Sequence, residues 1–151
     1  MAREEASGTS TKTEIMEQKL GYRVGLVRLF VRDIEKVKAF YVETLGMEII
    51  PEFTNDTFIF LKPSAGTPIA LQKAEDTESA AQVGSTELSL FVDDVDGAWN
   101  DLKAVGVEVG EIVDIGAGRA FFFKDPEGQA LGVSQLYPQV DALRRQYGIQ
   151  S

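Results

Sequence analysis

The sequence predicts an α+β protein built from two tandem βαβββ modules, and three observations carry the prediction. The order strand, capped helix, three strands occurs twice. Asp33 and Asp94 stand 61 residues apart and Gly46 and Gly106 stand 60 apart, so the second copy has lost one helical residue. The strand segments alternate with period two and the helical segments carry apolar stripes at helical spacing. Each helix opens on an Asp that suits an N-cap and stops at a Gly that suits the position beyond its end.

Residues 1–20 read as a flexible N-terminal tail, polar and rich in Ser and Thr over its first part, with a short helix at Thr13 to Leu20. Residues 21–151 form one domain, with modules at about 22–73 and 84–136. In Val24 to Val31, Val27, Leu29 and Val31 share one strand face while Leu26, Arg28 and Phe30 share the other. Asp33 caps a helix with Ile34, Val37, Phe40 or Tyr41 and Leu45 on its inner stripe. Strands follow at Glu48 to Phe53, Thr57 to Lys62 and Pro68 to Gln72, the last two joined by the turn Pro63 to Gly66. A loop with Glu75, Asp76 and Glu78 joins the modules.

In the second module Leu88, Leu90 and Val92 alternate with Glu87, Ser89 and Phe91, and Asp94 caps a helix bearing Val95, Ala98, Leu102 and Val105. Strands are expected near Glu108 to Asp114, Arg119 to Lys124 and Ala130 to Gln135, with a turn at Asp125 to Gly128. A C-terminal helix is expected at about 139–147, with Gly148 as its stop.

Composition excludes whole classes of chemistry. The 151 residues include neither Cys nor His, which removes thiolate and imidazole catalysis, zinc-thiolate and His-ligated metal sites, and disulfides. A net charge of −9 with no basic patch argues against nucleic acid and anionic lipid. The N-terminus has no apolar signal core and no apolar run approaches a membrane span, so a cytoplasmic protein is expected. The glycines at 106, 116, 118, 128 and 132 form no phosphate-binding loop.

The segments VRDIEKVKAFYVETLGMEI, LSLFVDDVDGAWNDLKAVGVEV and GRAFFFKDPEGQALGVSQ resemble the vicinal oxygen chelate superfamily, which holds glyoxalase I, bleomycin-resistance proteins and extradiol dioxygenases. The match spans about residues 22 to 136. The resemblance implies a curved mixed sheet of eight strands around a pocket, helices outside, and a homodimer. In metal-using members one ligand lies near the start of the first strand and one on the last strand of each module. Carried over, those positions fall on Leu26, Ala70, Glu87 and Gly132, of which only Glu87 has a donor. A lone carboxylate does not fix a divalent ion, so the chain is most like the metal-free, bleomycin-resistance-type members and no metal or cofactor is expected.

Strand parity then nominates pocket walls from Leu26, Arg28 and Phe30 in one module and Glu87, Ser89 and Phe91 in the other, joined by Phe58, Phe60, Arg119, Phe121 and Phe123. Glu87 reads as a counter-charge for a cationic ligand, as a metal-free acid or base, or as a solvated rim residue. Arg28 suits an anionic or carbonyl-bearing ligand, or a structural ion pair. The phenylalanines serve as core or as pocket wall, and Phe121, Phe122 and Phe123 point alternately to opposite faces. Trp99 is expected to pack helix on sheet. Gly132 makes room for a bulky planar guest. Two functions remain open: a metal-independent binder that sequesters an aromatic or cationic antibiotic, and a superfamily enzyme, a lyase, isomerase or dioxygenase-like protein, using an oxygen-ligand metal site or Glu87 as acid or base. The expected partners are a small molecule and a second copy of the chain.

Overall fold

The structure is a computed structural model and describes residues 21–149; the tail and the helix expected before residue 21 lie outside it. Strand β1 (Val27–Val31) leads into helix α1 (Ile34–Ala39), which continues as a π-helical turn over Phe40–Thr44. Strands β2 (Glu48–Ile49), β3 (Phe58–Lys62) and β4 (Ile69–Lys73) complete the first module. A one-turn helix α2 (Thr77–Ala80) precedes β5 (Glu87–Phe91), α3 (Val95–Ala104), β6 (Val113–Asp114), β7 (Gly118–Lys124), β8 (Ala130–Leu136) and α4 (Pro138–Gln146).

The α+β class and the two tandem modules stand. The sheet differs from the expected one: the eight strands form two four-stranded sheets, ordered β1-β4-β3-β2 and β5-β8-β7-β6, instead of a single eight-stranded one. In each sheet the first and last strands of the module pair in parallel and the other pairs are antiparallel. β1 and β5 therefore remain edges, and side chains rather than a shared ladder join the modules. Glu127 accepts main-chain N–H groups from Arg32 and Asp33 at 2.6 and 2.7 Å, and Phe40 lies 6.3 Å from Phe123.

The caps form as their residue types dictate. Asp33 accepts from the Lys36 N–H at 3.1 Å and Asp94 from the Gly97 N–H at 3.0 Å. Gly46 and Gly106 take φ values of 75° and 89°, the left-handed geometry that ends a helix without a Cβ penalty. The extra residue of the first helix is absorbed as a π-turn, in which the Leu45 N–H reaches back five residues to the Phe40 carbonyl at 3.1 Å. Two expected strands are shorter than read. Pro51 cannot donate to a ladder and starts a 3₁₀ turn, Pro51–Phe53, so β2 stops at Ile49. β6 begins only at Val113; upstream, the Gly110 N–H donates to the Phe122 carbonyl at 3.0 Å and the Gly110 carbonyl accepts the Trp99 indole N–H at 2.8 Å. The joining loop contains α2, held by a capping box between Asp76 and Ser79.

The aliphatic faces of both sheets enter one core: Leu29, Val31, Ile59, Leu61, Ile69 and Leu71 from the first, and Phe121, Phe123, Leu131 and Val133 from the second. Val37, Tyr41, Val95 and Leu102 cover them from the helices. Leu88 and Leu90 are only half-buried, since β5 is an edge strand. Among the described residues no helix is long and apolar enough to cross a membrane.

Candidate functional site

With one face of each sheet committed to the core, strand parity leaves the other face open. On the first sheet that face carries Arg28 and Phe30 from β1, Phe58 and Phe60 from β3, and Ala70 and Gln72 from β4. The register sets Arg28 beside Ala70 beside Phe60, and Phe30 beside Gln72 beside Phe58. The Arg28 guanidinium sits 5.0 Å from the Phe30 ring centre. Phe53, from the 3₁₀ turn, meets Phe60 edge to face at 5.2 Å. Arg28 and Phe30 line a recess of about 370 Å³ whose rim holds Glu75, Asp76 and Glu78.

The second sheet presents Glu87, Ser89 and Phe91 from β5, opposite Ala130, Gly132 and Ser134 of β8, with Phe122 of β7 on the far side of Gly132. All three β5 side chains are exposed, as is the Phe122 ring at 46%. That ring lies across Gly132: a Cβ there would meet Phe122 Cε1 at 2.9 Å and Glu87 Oε2 at 3.8 Å. The bare glycine thus seats an aromatic ring beside a carboxylate.

Three of the residues nominated as pocket wall face elsewhere. Phe121 is fully buried and Phe123 nearly so, stacked 6.0 Å apart in the core, and Arg119 on the same face is half-buried in a two-point pair with Asp96, at 2.8 and 3.0 Å. The ring that faces the open side is Phe122, which the parity reading missed. The signal for it lies in the repeat. A shift of 62 residues that superposes Ala70 on Gly132 also superposes Phe60 on Phe122, and both register pairs are observed. Leu26 precedes β1 and is exposed. The first-sheet and second-sheet sets are not brought together within one chain. Arg28 and Phe30 line the recess above, whereas Ser89 and Phe91 border a separate cleft of about 1140 Å³ between the modules.

The residues present do not fit the metal that the resemblance associates with this fold. Leu26, Ala70 and Gly132 offer no donor, and the Phe122 ring lies across Gly132. Among the described residues no three acidic side chains gather to hold an ion. The open faces present groups for stacking, counter-charge and hydrogen bonding. Away from the open faces, several charges are held by hydrogen bonds. The hydrogen bond from Arg119 holds the Asp96 carboxyl below its ordinary range, and hydrogen bonds from the Tyr137 hydroxyl and the Gly116 N–H do the same for Asp114. Burial, and then the charge of Asp125, push the Tyr41 hydroxyl well above the ordinary tyrosine value.

Comparison with known proteins agrees with this architecture. An antibiotic-binding protein from Streptomyces sp. CB03234, TnmS3, is 28% identical over 80% of this chain and all of its own, with a TM-score of 0.67. A member of the glyoxalase/bleomycin resistance protein/dioxygenase superfamily from Sphaerobacter thermophilus is 27% identical over 78% of this chain and 99% of its own, with a TM-score of 0.66. A lactoylglutathione lyase from Agrobacterium tumefaciens shares the fold at 18% identity and a TM-score of 0.61, covering 78% of this chain and 96% of its own. No curated protein matches the chain. The family model matches residues 23–133, both modules from β1 into β8, and the chain belongs to the Glyoxalase/Bleomycin resistance protein/Dioxygenase superfamily.

Proposed function

We propose that the protein is a metal-independent binder of planar aromatic small molecules, of the kind that sequesters an aromatic or cationic antibiotic. The observation that carries this reading is the seat at Gly132, where an exposed Phe122 ring lies across a position that metal-using members give to a ligand, beside the Glu87 carboxylate. An aromatic face with an adjacent carboxylate favours a flat guest with a positive charge by stacking and Coulomb attraction. Similarity to an antibiotic-binding protein supports the same class of guest. Sequestration needs affinity alone, which suits a chain with neither Cys nor His.

The working unit in this reading is a cytoplasmic homodimer. The open faces expose Phe91 and Phe122 on one sheet and carry Arg28, Phe30 and Phe60 on the other, and a second copy facing them can close a guest against the sheets without filling the seat. Sedimentation at micromolar concentration then gives one species at twice the chain mass; a single species at the chain mass overturns the dimer. The binding reading is tested by calorimetric titration of EDTA-treated protein with the cationic planar dye proflavine, followed by mass spectrometry of the recovered dye. Saturable binding with unchanged dye is expected. Heat only after adding a divalent metal, or a converted product, would favour an enzyme instead.

A further inference from the structure

Helix α4 lies outside the residues matched by the family, 23–133, yet its Arg144 side chain reaches a ring on the open face of the second sheet. Its Arg144 guanidinium lies 4.7 Å from the Phe91 ring centre. That contact leaves the donors of the group unaccounted for. Nη1 of Arg144 is buried and has no hydrogen-bond partner among the described residues, a costly state for a charged donor unless a partner arrives. The neighbouring Arg145 is already engaged with Asp141 at 2.9 Å.

The position of Arg144 gives the open face two poles. Phe91 and Glu87 lie four residues apart on β5, a span of about 13 Å at the rise of a strand. Ser89, Gly132 and Phe122 lie between or beside them. Glu87 makes one end negative and Arg144 makes the other positive. Lys124 shares the face, two strands across from Glu87 by way of Ala130, and forms no ion pair with it.

We propose that Arg144 is a specificity-determining residue, and that the ligand is a flat aromatic amine carrying an anionic or carbonyl oxygen at its far end. The amine lies at Glu87, the rings cross Phe122 and Gly132, and the Arg144 side chain turns to bring Nη1 to the oxygen, which accepts from it. This assignment rests on the binding function proposed above and adds the ligand's second pole to it.

The experiment uses two probes, each carrying one pole: proflavine, which is cationic, and anthraquinone carboxylate, which is anionic. Both are titrated into the EDTA-treated full chain, wild type, Arg144→Met and Arg144→Lys, with a melting curve for each. Wild type is expected to bind both. Arg144→Met is expected to weaken the carboxylate probe about tenfold or more, the scale of one charge-assisted hydrogen bond, and to leave proflavine within about twofold. Arg144→Lys, which keeps the charge and loses the fork, is expected to recover part of the loss. Equal weakening of both probes means that Arg144 only anchors α4, and no change for either probe removes it from the site; both overturn the assignment and leave the binding function standing. Failure of the wild type to bind either probe overturns the binding function and this assignment with it.

Discussion

The Tyr41 hydroxyl donates to Asp125 Oδ2 at 3.0 Å across 84 residues, joining the first helix of one module to the turn between the last two strands of the other. Both groups are buried, the tyrosine completely. Asp125 Oδ1 meanwhile accepts from the Glu127 and Gln129 N–H groups at 2.8 and 3.0 Å. The carboxylate is therefore fully engaged, and the turn is held in the shape that lets Glu127 reach the start of α1.

Tyr41→Phe removes one of those donors inside the core and is expected to destabilise by about 1–3 kcal/mol, the cost of an unmet buried acceptor, as read by urea denaturation. Tyr41 carries a pH signature as well. Its folded pKa lies above its unfolded value of about 10, so its contribution is complete below that value and is lost as the pH rises above it. Ultraviolet titration is expected to show one tyrosine that does not ionise until the protein unfolds. A phenol at this position titrating like a free tyrosine contradicts the contact.

At the acid end the pairing of Arg119 with Asp96 sets the expectation. The Asp96 carboxyl titrates lower in the folded chain than in the unfolded one, where it titrates near 3.9. Its contribution is therefore complete above that value and lost as the pH falls through the folded one. Asp96→Asn is expected to lower the melting temperature slightly at pH 7 and to flatten its fall between about pH 4 and pH 2. Superposable melting profiles for wild type and variant across that range contradict the role of the pair.

Much of this fold was legible because it is written twice. The Asp33 and Asp94 caps, the Gly46 and Gly106 stops and the parity of Val27, Leu29 and Val31 each follow from local rules, and all appear in the structure. Even the one-residue mismatch between the copies has a physical counterpart, the π-turn after Ala39. Parity was also the weak point. In Phe121, Phe122 and Phe123 three identical side chains alternate faces, so composition gives no preference, and only the pairing of Phe122 with Gly132 decides. The division into two sheets left no local trace, because it depends on what β1 and β5 do not pair with. Arg144 escaped notice because it lies on a helix beyond the repeat.

Gly132→Ala probes the aromatic seat without touching a charge. The added methyl group meets the Phe122 ring at 2.9 Å, and that ring, half-exposed, has solvent on its other side to turn toward. Melting temperature is expected to fall only slightly, while affinity for proflavine drops several-fold as the platform tilts. A large loss of stability with unchanged affinity means that Gly132 serves packing alone.

Stacking without a metal is read from the dissociation constant of proflavine for metal-stripped wild type and Phe122→Ala, measured side by side with their melting curves. Saturable binding by wild type in EDTA is predicted, with about tenfold loss in Phe122→Ala, the scale of one stacking contact, and little change in melting temperature because the ring is exposed. Equal affinity of the two proteins, or binding by wild type only when a divalent metal is restored, would contradict it.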